Sequence, residues 1–160
     1  MNAPAESTRS TPQSKARLRL WLRLLGVTRK IENELRDKLR REHDTTLPRF
    51  DVMSALHRHP DGLRMSELSG VLKVSNGNVT GIVDRLTEEG LVERVAVPGD
   101  RRAMMARLTE RGQTVFIGQA AEHEAWIDGL FAEMDADEAR IFANRLGELA
   151  ELLETRGETQ

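Results

Sequence analysis

A mainly helical fold with one small β-hairpin is predicted for this 160-residue chain by three features. Apolar residues recur at helical spacing over most of its length. Two short amphipathic stretches, Met65–Leu72 and one beginning at Ser75, are separated by only a few residues. Directly after them a Val-rich run, Leu91–Val97, is followed by Pro98-Gly99-Asp100 and a second short run, Ala103–Leu108.

Length and composition set the bounds. The chain has room for one ordinary core. Charged residues make up 31% and aromatics 4%, which suits a helix-rich, water-soluble protein with long solvated faces. Cysteine is absent, so disulfides and thiolate chemistry are excluded. The first 14 residues are polar, unlike a signal peptide, and no apolar run reaches the ~18 residues that span a bilayer. A cytoplasmic location is expected. The net charge of -2 conceals an asymmetry. Residues 1–49 carry 12 Lys/Arg against 6 Asp/Glu, whereas residues 112–160 carry 3 against 11. A phosphate responds to the local field rather than to the total.

Residues 1–14, rich in Ser, Thr, Pro and Ala, are expected to form a disordered tail. From Lys15 to Arg41 there is no Pro and a single Gly, and Leu20, Leu24, Val27, Ile31, Leu35 and Leu39 form a helical stripe. Leu18, Trp21, Leu22 and Leu25 make the first half apolar nearly all round. Such a helix must bury more than one face, and a partner subunit is the natural place to do so. A short helix follows from Pro48 to His57, with Pro at its first turn and Pro60-Asp61-Gly62 as its stop. The Met65–Leu72 helix carries Leu68, Val71 and Leu72. Ser75 caps the next, whose core positions are Val79, Ile82, Val83 and Leu86 and whose end is Gly90. This is a tight helix-turn-helix, and the two-stranded ribbon after it is a wing. Thr109 opens a long helix reaching about Met134, striped by Phe116, Ala120, His123, Ile127 and Leu130. Asp135 and Glu138 form a capping box for a last helix from Ala136 to about Glu154, striped by Phe142, Leu146, Leu149 and Leu153. The division expected is a tail (1–14), an N-terminal dimerisation helix (15–46), a winged helix-turn-helix DNA-binding domain (47–108) and C-terminal dimerisation helices (109–156).

In the helix after Ser75 the inward positions leave Asn76, Gly77, Asn78, Thr80, Gly81 and Arg85 outward or at the N-terminal end. Asparagine pairs bidentately with adenine in the major groove. Glycine at 77 and 81 gives up about 1 kcal/mol each of helix propensity, which is reasonable on a surface that needs close approach. The same residues would also serve as an ordinary solvated helix start. Lys73, Thr80, Arg85 and Arg94 are candidates for phosphate contact. Arg101 and Arg102 stand at the wing tip, where a narrow minor groove attracts guanidinium.

The segment from Met65 to Gly112 resembles the MarR family of transcriptional regulators. The residues that carry this are Ser66-Glu67-Leu68, Val74-Ser75, Val79-Thr80, Asp84 with Leu86, Gly90-Leu91-Val92 and Arg94. They continue with Asp100-x-Arg102 and Leu108-Thr109-x-x-Gly112, and Leu47-Pro48-Arg49-Phe50-x-Val52-Met53 fits upstream. The resemblance implies a homodimer on a pseudo-palindromic double-stranded operator, with Arg102 in the minor groove and Asp100 holding it. It also implies repression released by a small aromatic ligand seated between the dimer helices and the winged domain. The stretches LRLWLRLLGVTRKIE, TTLPRFDV, HPDG, VSNGNVTG and HEAW resemble a narrower branch that answers to hydroxycinnamoyl-CoA thioesters such as p-coumaroyl-CoA and governs aromatic-compound degradation. For such an effector, Trp21, Met53, Leu56, His123 and Trp126 are the candidates for an apolar slot, and Arg36, Lys38, Arg40, Arg41 and Arg49 for the CoA phosphates. The apolar set would serve equally as dimer core.

No cofactor or metal is expected. His57 and His59 lie two apart, which on a helix points them in different directions, and no His pair at i, i+4 exists. No phosphate loop, nucleophile elbow or acid pair suggests an enzyme. The competing reading from another class is a winged helix that binds proteins. It would carry exposed apolar residues where this chain has the Asp100–Arg102 pair and the Asn/Gly face.

Overall fold

The computed structural model describes residues 11–73 and 75–157, the side chains of Asn76, Arg101 and Arg102 excepted. Six helices and three strands are present among them. In order they are α1 (Pro12–His43), α2 (Leu47–His57), β1 (Leu63–Arg64), α3 (Met65–Leu72), α4 (Asn76–Glu88), β2 (Val92–Val97), β3 (Asp100–Leu108), α5 (Glu110–Leu130) and α6 (Ala136–Gly157). The mainly helical fold with a small β wing stands. The chain divides into two compact units, Met1–Ala121 and Glu122–Gln160.

α1 begins three residues before Lys15, inside the stretch expected as tail. Thr11 has extended backbone geometry, its side chain accepts a hydrogen bond from the Ser14 amide at 3.1 Å, and Pro12 takes the first helical position. Residues 1–10 of the expected tail lie outside the described residues. Only Leu35 and Leu39 of α1 are buried within the chain. Leu18, Leu20, Trp21, Leu22 and Val27 are exposed, as the all-round apolar pattern of that half requires of a helix that has not met its partner.

The core of the first unit is built on α2. Val52, Met53, Ala55 and Leu56 of α2 are all enclosed, together with Leu39, Leu68, Val79, Val83, Leu86, Val92 and Ala106. Enclosing each of the larger side chains contributes about 1.5–3 kcal/mol. Phe50 and Phe116 meet with ring centroids 5.4 Å apart, and the His57 ring lies 4.9 Å from Phe116. His57 Nδ1 is 2.7 Å from Gln113 Oε1, so the ring is held by α5. His59 Nδ1 instead lies 2.9 Å from the Ala55 carbonyl.

β1, β3 and β2 form one antiparallel sheet in that spatial order. β1 is two residues long and was not anticipated, because no alternation shows in two residues. It pairs Leu63 with Ala106 and Arg64 with Met105. β2 and β3 pair from Val92–Leu108 to Ala96–Met104, then shift register before Val97–Asp100. The hairpin loop is therefore Pro98-Gly99, one residue shorter than expected.

The α4–β2 corner has the form its sequence suggests. Gly90 takes the left-handed region at φ 71°, its amide donates to the Thr87 carbonyl, and the Leu91 amide donates to the Leu86 carbonyl at 2.9 Å. These two bonds make a Schellman termination. At the same end of the sheet, where β3 leaves it, the Thr109 hydroxyl oxygen accepts from the Gly112 amide at 2.9 Å and opens α5. Gly112 sits so near the Leu91 carbonyl that a Cβ there would stand 1.9 Å from its oxygen. α5 thus starts against the corner where α4 ends.

α5 buries Gly112, Phe116 and Gln119; of the expected stripe Phe116 is buried, Ala120, His123 and Ile127 are half-buried and Leu130 is exposed. α5 stops at Leu130 rather than Met134. The Asp135 side chain accepts from the amides of Asp137 and Glu138, and the Glu138 carboxylate accepts from the Asp135 amide, which is the expected capping box. No residue of α6 is buried within the chain, and Ile141, Phe142, Leu146, Leu149, Leu152 and Leu153 are all exposed.

Candidate nucleic-acid interface

α4 presents the outward face that its sequence requires. Val79, Val83 and Leu86 are enclosed, while Gly77, Asn78, Gly81 and Arg85 are exposed along the opposite side. Ile82 is only half-buried, one position less deep than its spacing suggested. A Cβ built on Gly77 or on Gly81 meets nothing within 4 Å. Neither glycine is therefore required by packing inside the chain. Together with Thr46 and Arg49 of the α1–α2 region, this face lines an open cavity of about 330 Å³.

Ser75 occupies the N-cap position of α4 with extended geometry, but its side chain makes no capping hydrogen bond. Lys73, exposed, takes the left-handed region at φ 53° in the turn between α3 and α4. Thr80 is half-buried beside Val79. The side chains of Asn76, Arg101 and Arg102 lie outside the described part. The backbone of the last two belongs to β3, directly after the Pro98-Gly99 loop and Asp100.

Arg94, expected at a phosphate, is engaged within the chain. Its guanidinium donates to the Asp84 carboxylate at 2.7 Å and so ties β2 to α4. This arginine fixes the wing relative to the helix. Glu93 and Arg107, 2.7 Å apart, link the two wing strands in the same way. Spacing along the sequence gave no sign of either pair, because each joins residues brought together only by a chain reversal.

The residues expected around an effector fall in both units. Trp21 is 57% exposed on α1. Arg36 donates to Asn33 at 2.8 Å, Lys38 stands 3.9 Å from Glu34, and Arg40 and Arg41 are exposed. His123 and Trp126 belong to the second unit, with ring centroids 6.4 Å apart, and burial lowers the His123 pKa from its ordinary value. Leu56 is wholly enclosed in the α2 core, so it is core rather than slot. Met53 and Arg49 do share a cavity of about 350 Å³ with Thr45, Glu89, Arg111 and Gln119. Arg49 is paired there with the Glu89 carboxylate. Arg111 and Gln119 were absent from the expected set, since neither stands out in the sequence of α5.

A crystal structure of a MarR family transcriptional regulator from Silicibacter pomeroyi superposes with a TM-score of 0.77, at 31% identity over 90% of this chain and 99% of that one. The chain belongs to the MarR family. The MarR family model matches residues 43–103, which run from the end of α1 into the wing. The Bacillus subtilis regulator YfiV, of the HTH type, is 33% identical over 75 residues; the match covers 47% of this chain and 46% of YfiV. A cysteine-to-serine mutant of Escherichia coli MarR, solved in complex with operator DNA, superposes with a TM-score of 0.73 at 25% identity, over 88% of this chain and 99% of that one. This MarR-family chain is thus a transcriptional regulator and not an enzyme. Among the described residues no cluster of three or more His, Asp or Glu is placed to hold a metal, and no helix is long and apolar enough to cross a membrane.

Proposed function

We propose that the protein is a homodimeric, sequence-specific DNA-binding repressor that a small aromatic effector releases from its operator. The observation that carries the DNA reading is the α4 face. Gly77, Asn78, Gly81 and Arg85 are exposed side by side, and neither glycine is demanded by the packing. A backbone cleared of side chains beside an amide and a guanidinium suits the floor of a major groove. Asn76, Ser75 and Thr80 complete the reading edge, Lys73 and Arg85 approach phosphates, and Arg101 and Arg102 reach the minor groove from the wing. Asp100 positions Arg102, and Arg94 acts through Asp84 as a positioning residue. The complex of E. coli MarR with operator DNA, on a similar fold, supports this placement.

The exposed apolar faces of α1 and α6 support a second copy as the partner, and two-fold symmetry then asks for half-sites about one helical turn apart. In this reading residues 15–46 and 109–156 assemble the dimer and residues 47–108 read DNA. The effector is an aromatic acyl-CoA thioester of the p-coumaroyl-CoA type or a phenolic acid. It is held by Trp21, His123 and Trp126 with Met53, while Arg36, Lys38, Arg40, Arg41 and Arg49 face its phosphates or carboxylate. The regulated genes serve aromatic-compound degradation.

A gel shift on the DNA upstream of the protein's own gene tests the reading, with free hydroxycinnamates and their CoA thioesters as challengers. Retarded DNA released by the thioester alone is the expected result. Release by neither removes the effector assignment, and binding that does not weaken as salt rises removes the DNA assignment.

A further inference from the structure

The open cavity beside α4 is walled by two helices. Thr46 and Arg49 come from the start of α2; Gly77, Asn78, Gly81 and Arg85, with the half-buried Ile82, come from α4. Among the described residues no carboxylate lines it. Asp51, also on α2, lines a separate cavity of about 140 Å³. The charged groups of the lining are two guanidiniums. Arg49 is matched by the Glu89 carboxylate. Arg85 is exposed and joins no ion pair among the described residues. One positive charge of the lining is thus left without an answering carboxylate, and a phosphodiester carries one negative charge.

The donors suit such a guest. A guanidinium offers five N–H groups, and the link to Glu89 engages one nitrogen of Arg49. Thr46 is the N-cap of α2, yet its side chain makes no capping hydrogen bond, so its hydroxyl is open to donate. No acid stands in the first turn of α2 to repel an anion. The α4 wall is bare where a strand would press closest, since a Cβ on Gly77 or Gly81 would meet nothing within 4 Å and would only narrow the space.

The position of the cavity names the source of the phosphate. Asn78 belongs both to this lining and to the face assigned to base edges. When Asn78 reaches into the groove, the strand that borders the groove passes the cavity. An open site lets a continuous chain enter at one side and leave at the other. Contacts of this kind position a reader on the duplex without specifying sequence.

We infer that this cavity seats one phosphate of the operator strand bordering the groove, held between the Arg49 and Arg85 guanidiniums and by the Thr46 hydroxyl. α2 thus grips the backbone while α4 reads beside it, and Arg49 is a DNA contact as well as a candidate for the effector. The inference deepens the DNA reading and rests on α4 as the reading helix.

Fluorescence anisotropy with the full-length protein and the duplex upstream of its own gene reads the contact. Neutral methylphosphonate linkages replace the phosphates one at a time. One linkage in a half-site should cost the parent about tenfold in affinity, yet cost Arg49→Gln and Arg85→Gln less than about twofold, both at that same position. On the unmodified duplex Arg49→Gln should bind at least about tenfold more weakly, by a similar factor for operator and unrelated sequence. Its salt slope should be shallower by about 0.9 for each subunit engaged. Arg85 is exposed, so its variant carries the linkage scan should Arg49→Gln fail to fold by circular dichroism. Glu89→Gln breaks the same ion pair but keeps Arg49, and should bind DNA at least as tightly as the parent. A loss in Glu89→Gln equal to that in Arg49→Gln would mean that Arg49 only braces the end of α4, and overturns the seat. So does a scan with no linkage whose cost disappears in the arginine variants. A parent that binds DNA with Arg49→Gln undiminished refutes the seat alone; a parent that binds no duplex refutes α4 as the reading helix and takes the seat with it.

Discussion

Single residues carry three separable kinds of work in this protein. Gly112 was legible as part of a Leu-Thr-x-x-Gly pattern, but its cause was not: the Leu91 carbonyl occupies the space a side chain would need. Backbone cannot move aside as a side-chain tip can, so Gly112→Ala should lower unfolding free energy by about 3 kcal/mol. Denaturant titration measures it, and a midpoint equal to the parent's would contradict the close approach. Asp51 works through charge. It lines a small cavity with Pro48, Leu72, Asn78 and Ile82, and burial, with the Glu32 charge second, raises its pKa above the ordinary carboxylate value. Between that ordinary value and the raised one the folded chain keeps a proton that the unfolded chain has released, so stability falls as pH rises through the window. Asp51→Asn should therefore be more stable than the parent at neutral pH, with the difference vanishing once the solution is more acid than the ordinary carboxylate value; thermal melts across pH read it. Arg102 works on DNA: Arg102→Ala should weaken operator binding by about 1–3 kcal/mol in a low-salt titration, and unchanged affinity would exclude the wing from the contact.

At the scale of elements, the helices could be read because their capping chemistry is local. Thr109, the Asp135–Glu138 box and Gly90 each act within a few residues, and each sits at the helix end where it was expected. What escaped was set by partners distant along the chain. β1 exists only because Ala106 and Met105 of β3 lie alongside it, and Arg94 turns toward Asp84 because β2 folds back on α4. Gln119, polar and one position before Ala120 of the expected α5 stripe, is buried because it shares a cavity with residues of α2 and of the α4–β2 corner, all distant along the chain. The outer face of α4 offers the test at this scale. Gly81→Ala fills open space, so it should raise stability by up to about 1 kcal/mol through helix propensity. The same methyl group faces the groove and should reduce operator affinity. Melting and gel shift measured on one variant should thus move in opposite directions; affinity unchanged beside a raised melting temperature would mean that α4 does not lie in the groove.

At the scale of the whole molecule, what the sequence disclosed best was surplus apolar surface. Leu18, Leu20, Trp21 and Leu22 on α1 and Phe142 through Leu153 on α6 have no cover within one chain. The effector residues were far less legible, because a row of arginines looks the same whether it is solvated, paired to Glu89 or waiting for a phosphate. Leu146 lies on α6, whose residues are all unburied, so Leu146→Glu should leave the helical content of a single chain intact while splitting the assembly. Light scattering should then report half the parent's mass and the gel shift a large loss of affinity. An unchanged mass would mean that α6 is not part of the interface.

The bare flank of α6 has a consequence for dosage. A helix that buries nothing of its own gains cover for its apolar face only on meeting its sister, so stability depends on how much polypeptide is present. While most copies are still single, the finished regulator rises with the square of chain supply. The regulated promoters would then feel a threshold in expression of this gene, built from hydrophobic surface alone and independent of any signal molecule.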